Sequence, residues 1–305
     1  MKREEILDWI SGCCELALLL EVSATPKPGL VDKLHDYRGE TYFQHFIASA
    51  VSLRPWMKAA AKLGSKGRGL GKIIFKGVKA FMTSQRGGNT HLGAWLLIAP
   101  LAAAAGSSLK KPISEKDLRI HVVKVLRGMD WRDTISIFKA IAFTSPGGLG
   151  RVPYLDVLRS ETYQEIRLRK IGPIDALKPY QGYDIVAEEW VGGYSRTLKE
   201  ILKIIKKNLR EYYSLDSALA QSYLEILARY PDTQIIRRAG PSTARAISHL
   251  ARRIVEVGGL STKKGRRMLI DLDRRLRRSR RLRPAATADL LSASIAALLL
   301  GGFKP

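Results

Sequence analysis

The 305-residue sequence is short of several residue types, and each shortage narrows what the chain can be. Its two cysteines are the neighbours Cys13 and Cys14. Adjacent cysteines do not close an ordinary disulfide, and there is no Cys-rich metal pattern. Both are expected to pack as small core residues. Asparagine occurs only at Asn89 and Asn208. Acids are outnumbered, 28 Asp and Glu against 52 Lys and Arg. The most apolar stretch, "DLLSASIAALLLGGF", falls short of the roughly 20 residues a membrane span needs. The opening "MKREEILDWISGCCELALLL" has no small-residue cleavage site, and Glu15 and Glu21 interrupt it. It reads as an amphipathic first helix, so a cytosolic protein without a membrane segment is expected. No stretch alternates with period two, no repeat of about 20–50 residues recurs, and no linker divides the chain.

What is present is helical periodicity and positive charge. With 46% apolar residues the chain can bury a sizeable core. Periodicity predicts helices at 4–21, 41–63, 72–83, 89–105, 114–127, from Asp130 to near "SPGGLG", 158–170, 184–213, 214–229, 242–257, 263–278 and 285–300. The expected fold is all-α, a single compact domain over residues 1–305 with roughly a dozen helices. The formal net charge is +24 and the pI about 10.2, a balance that suits polyanionic partners such as nucleic acid or nucleotide polyphosphates. Few amides and many charges also suggest a thermophile.

Five stretches carry side chains suited to chemistry. "PKPGLVDKLHDY" breaks any helix and gathers Lys27, Asp32, His35 and Asp36. There Lys27 suits phosphate, Asp32 and Asp36 suit magnesium, and His35 suits proton transfer, or the stretch is a solvated turn of mixed charge. "RGGNTHLGAW" places Asn89 at a helix start, where the amides near Thr90 and His91 would meet an anion and His91 could act as acid or base. "ARYPDTQIIRRAG" offers Asp232 with Arg237 and Arg238, a set for a metal polyphosphate or for a helix cap with a surface ion pair. "RPAATADLLSAS" puts Thr287 and Asp289 at the head of an apolar helix, as a cap or facing a pocket. "KKGRRMLIDLDRRLRRSRRLRP" has Leu269, Leu272 and Leu276 on one face and arginine elsewhere, a solvated face or a nucleic-acid surface. "GSKGRGLG" and "SPGGLGR" match neither a Walker A loop nor a dinucleotide fingerprint.

Taken in order, "EVSATPKPGLVD", "GGNTHLGA", "PDTQIIRRAG" and "ATADLLSAS" give the chain its resemblance to the triphosphoribosyl-dephospho-CoA synthase family, and within it to the archaeal-type branch. The resemblance runs from about Glu21 to Leu300. It implies that a ribose hydroxyl of dephospho-CoA attacks C1′ of the ATP ribose, adenine leaves, and the triphosphate stays on the transferred ribose. It also implies magnesium with ATP, held by Asp32 and Asp36. Asn89, Thr90 and His91 would grip phosphate. Lys27, Asp232, Arg238 and Asp289 would complete the pocket. Asp32, His35, Asp36 and His91 are the expected catalytic groups, with the general base unassigned. Two other readings stay open: a relative acting on another nucleotide or a pterin-type acceptor, and a basic nucleic-acid-binding protein. A homodimer is compatible with the apolar content.

Overall fold

The computed structural model describes residues 2–37, 39–144 and 154–305. Among them there are fifteen α-helices and no strand, only two isolated bridges in the proline loop region, Asp32 with His35 and Tyr37 with Thr41. The all-α expectation holds, with three helices beyond a dozen.

Two helices without an exposed face form the centre. They are α4 (Leu92–Ser108) and α15 (Ala285–Leu300), apolar on nearly every side and packed against each other. A helix that is apolar all round must be covered all round. The cover comes first from α1 (Arg3–Ser23), α2 (Phe43–Leu63) and α3 (Leu70–Thr83). Next follow α5 (Glu115–Gly128), α6 (Trp131–Thr144), α7 (Ser160–Arg169), α8 (Pro173–Leu177) and α9 (Ile185–Val191). The far side is closed by α10 (Leu202–Glu211), α11 (Leu215–Arg229), α12 (Thr233–Ala239), α13 (Pro241–Glu256) and α14 (Lys263–Arg277). Residues 280–300 are long and apolar enough to cross a membrane, yet 72% of that window is buried inside the fold, as a core helix requires.

Boundaries mostly follow the periodicity. The run expected at 184–213 is the exception. Gly192 and Gly193 end α9, Tyr194 takes φ 58°, and a π-helical turn at Arg196–Ile201 leads into α10. The carboxylate of Glu189 accepts the Arg196 and Thr197 amides and holds that turn. Cys13 and Cys14 are free and buried, and burial pushes the Cys13 thiol up to about 11. The glycine stretch at 145–151 lies outside the described residues.

Candidate active site

A cavity of about 990 Å³ opens where the proline loop, the start of α4, α12 and the head of α15 meet. Of the residues singled out in the sequence, Lys27, Asn89, Thr90, His91, Arg238 and Asp289 line it; Asp32, His35, Asp36 and Asp232 do not.

The proline loop folds through its own side chains. Asp32 is buried and accepts the Lys27 amide at 3.2 Å and the Leu34 amide at 2.9 Å, with His35 Nδ1 at 2.8 Å. Asp36 Oδ1 accepts the Phe43 amide at 2.6 Å, at the entry to α2. These groups close turns, as Asp does wherever its side chain can reach nearby amides. Asp32, His35 and Asp36, expected at magnesium and substrate, here make contacts that shape the loop. Both Asp32 oxygens and Asp36 Oδ1 accept hydrogen bonds there, and no cluster of three His, Cys, Asp or Glu suited to a metal exists among the described residues.

That folded loop delivers Lys27 and Tyr37 to the cavity wall. Gly29 sits at φ 76° because the chain passes so close to α14 that a Cβ would meet Leu276 Cβ at 2.8 Å. Its amide donates to Asp273 at 2.8 Å, while Arg277 donates to the Leu30 carbonyl at 2.6 Å. Part of the basic run thus fastens the loop. Tyr37 donates to the Gly29 carbonyl at 2.5 Å, and the Arg283 guanidinium lies 3.4 Å over its ring.

The deep wall is acidic. Glu21 of α1 is buried, and its side-chain oxygen pairs with the Lys27 ammonium, which also donates to the Glu21 carbonyl at 2.5 Å. Burial raises the Glu21 carboxyl, and Lys27 opposes that rise. Asp289 lies deep in the cleft, reachable from the cavity and against the start of α4. A Cβ on Gly93 would meet Asp289 Oδ2 at 2.0 Å, so glycine is required there. Burial lifts the Asp289 carboxyl well above the usual range, and the charges of Asp232 and Glu21 add to this, against one opposing hydrogen bond from the Ala94 amide.

Beside this wall, the Asn89 side chain caps the first turn of α4 by accepting the Leu92 amide at 3.1 Å. Thr90 Oγ1 is 2.7 Å from Ser49 Oγ. His91 is 2% exposed, with Nε2 at 3.1 Å from the Phe46 carbonyl. A carbonyl can only accept, so Nε2 carries the hydrogen and Nδ1 is left as an acceptor. Burial lowers its pKa to about 4, so the ring is neutral at pH 7 and takes no phosphate charge.

The mouth is basic, with Arg86, Arg237, Arg238, Arg280, Arg281 and Arg283 on its wall. Glu40 bridges two of them, Arg280 at 2.6 Å and Arg283 at 2.7 Å. Arg237 pairs with Asp184 at 2.6 Å. Asp232 stands behind this wall and ties helices together. Its Oδ1 caps α12 through the Gln234 and Ile235 amides, and its Oδ2 accepts both the amide and the hydroxyl of Thr287 at 2.8 Å. Expected at the substrate, Asp232 here makes contacts that join α12 to the head of α15.

Glu21 and Glu40 were missed in the sequence. Glu21 had one signal, a lone carboxylate inside an apolar helical run. Glu40 had none, because its partners lie 240 and 243 residues away.

An all-helical fold with a cleft basic at the mouth and carboxylate-lined at the depth defines a class: a protein suited to hold a phosphorylated sugar or nucleotide with acid–base groups at its buried end. Residues 7–304 match the family described as ATP:dephospho-CoA triphosphoribosyl transferase, and the chain belongs to that family. It is 27% identical over 297 residues to the 2-(5''-triphosphoribosyl)-3'-dephosphocoenzyme-A synthase of Klebsiella pneumoniae, covering 93% of this chain and 88% of that one. A Pseudomonas fluorescens Pf-5 protein described as a candidate for the same enzyme is 28% identical, with 92% and 87% covered. The crystal structure of a candidate triphosphoribosyl-dephospho-CoA synthase from Archaeoglobus fulgidus shares the fold, with a TM-score of 0.64 at 23% identity, covering 85% of this chain and all of that one.

Proposed function

We propose that the protein moves the 5-triphosphoribosyl group of ATP to a ribose hydroxyl of dephospho-CoA and releases adenine. The observation that carries this, in a member of the family, is the polarity of the cleft. Guanidinium groups at the mouth suit a triphosphate, and two carboxyl groups at the depth suit the sugar carbon where positive charge grows.

The acceptor oxygen bonds to C1′ as the C1′–N9 bond breaks, and the electron pair of that bond goes to adenine. Glu21, kept in place by Lys27, takes the hydroxyl proton. Asp289, protonated as its surroundings favour, gives a proton to the departing base. His91 Nδ1 accepts a ribose hydroxyl, and the α4 start with Asn89 orients the sugar. Arg237, Arg238, Arg280 and Arg283 neutralise the phosphates. Magnesium brought with ATP would add to the neutralisation of the phosphates.

The test is chromatographic detection of free adenine from ATP and magnesium, with and without dephospho-CoA. Adenine released only with dephospho-CoA supports the reading. Adenine released equally without it points to a different acceptor. No adenine in either tube overturns the proposal.

A further inference from the structure

A second cavity of about 160 Å³ adjoins the first, with Gly93 and Asp289 in the lining of both. Its walls are of another kind. Ile137, Phe138 and Ile141 come from α6, Ile185 and Val186 from α9, and Leu96 from α4. Tyr180 and Tyr183 stand on the same wall, and Tyr183 lies at the border of exposure. Six residues line both cavities: Asn89, Leu92, Gly93, Gln234, Arg237 and Asp289. The two are therefore adjoining compartments, one polar and basic, the other mostly apolar and aromatic with Asp156 and Asp184 in its lining, and with amide, carboxyl and Arg237 guanidinium groups at their common edge.

Size and lining select the occupant. Apolar walls with Asp156, Asp184 and Asp289 among them disfavour a phosphate, and a compartment of this size does not hold a second nucleotide. A flat heterocycle gains from aromatic and aliphatic faces, while its edge needs hydrogen-bonding partners at one side only. Asn89 and Gln234 carry amides with both donor and acceptor character, and Asn89 has its NH₂ to give because its Oδ1 is used on Leu92. The long flexible arm of dephospho-CoA is a worse match, since it needs an open channel rather than a short slot.

We infer that the smaller cavity is the seat of the purine of ATP, with Gly93 and Asp289 at the point where base and ribose are parted. This rests on the reading of the large cleft as the triphosphoribosyl site. It adds what that reading leaves open: where the leaving group sits, and why ATP is chosen over inorganic polyphosphate. With the base in the slot and the triphosphate at the arginines, the glycosidic bond crosses the shared edge beside Asp289. The missing Cβ of Gly93 is what leaves room for both the carboxyl and the sugar.

The experiment is calorimetric titration of wild type, Ile141→Trp and Tyr183→Ala with ATP, tripolyphosphate and pantetheine, none of which requires turnover. Ile141→Trp fills the slot from a partly buried position. Tyr183→Ala removes a wall at its exposed rim, where folding is not at stake. The advantage of ATP over tripolyphosphate is expected to shrink about tenfold in Ile141→Trp and a few-fold in Tyr183→Ala, the scale of a lost base stack. Tripolyphosphate affinity stays unchanged, which also reports an intact cleft. An ATP advantage equal in all three proteins overturns the inference. So does a loss that falls on pantetheine instead. If dephospho-CoA-dependent adenine release is absent while the ATP advantage responds as expected, the acceptor is wrong and the base site stands.

Discussion

The floor of the cleft and the junction behind it each hold a carboxylate from the second half of the chain, and the two are spent differently. At the junction Asp232 receives four hydrogen bonds, from the Gln234, Ile235 and Thr287 amides and the Thr287 hydroxyl. On the floor Asp289 is opposed in its burial by one backbone amide, and it faces the cavity. Both carboxyls are raised by burial. What separates a structural acid from an available one is unspent hydrogen-bonding capacity. The proline loop repeats the lesson, with Asp32 saturated by its own turn and Glu21, a few residues earlier, facing the cavity.

Exchanging single atoms breaks or sharpens this contrast. The largest effect is expected from Asp289→Asn, a loss of roughly 10²–10⁴-fold in adenine release with no fall in melting temperature. A collapse of the melt instead would place Asp289 with Asp232. Asp232→Ala should do the reverse, losing about 2–4 kcal/mol of stability in a denaturant melt through a lost cap and an orphaned Thr287. Next is pH. His91 titrates near 4 in the folded chain against 6.5 in the unfolded one. The unfolded chain therefore binds the proton first, and stability present above pH 6.5 drains away as pH falls towards 4. The amount is on the order of 3 kcal/mol, and His91→Gln should flatten that limb of the curve. Arg283→Ala should raise the KM for ATP about tenfold, since a charge-assisted contact to phosphate is lost. Least is His35→Ala: its side chain is 44% exposed, and both the activation barrier and the stability should change by no more than about 0.5 kcal/mol.

Helix positions were legible because the amphipathic helices announce themselves by period, and α4 and α15 by their long apolar runs. Local order also marked "NTH" as a helix start, and α4 begins directly after it at Leu92. The division of labour among carboxylates was not legible. Asp32, Asp232 and Asp289 all sit beside helix starts or turns, and only the fold shows which amides reach them. Arg280 and Arg283 looked like one end of a basic run. Their convergence on Glu40 depends on a loop some 240 residues earlier.

Glu40 gives the mouth a resident anion. With its two oxygens on Arg280 and Arg283, the guanidinium groups are already aligned, so a phosphate arriving there meets a preset fork. Entry is then an exchange of one anion for another. The number of ion pairs changes little across binding, and the affinity for ATP should depend on salt less steeply than the count of arginines suggests. Glu40→Gln turns that exchange into a simple addition. The slope of binding against ionic strength should then steepen, and a slope identical in both proteins would show that carboxylate and phosphate never compete.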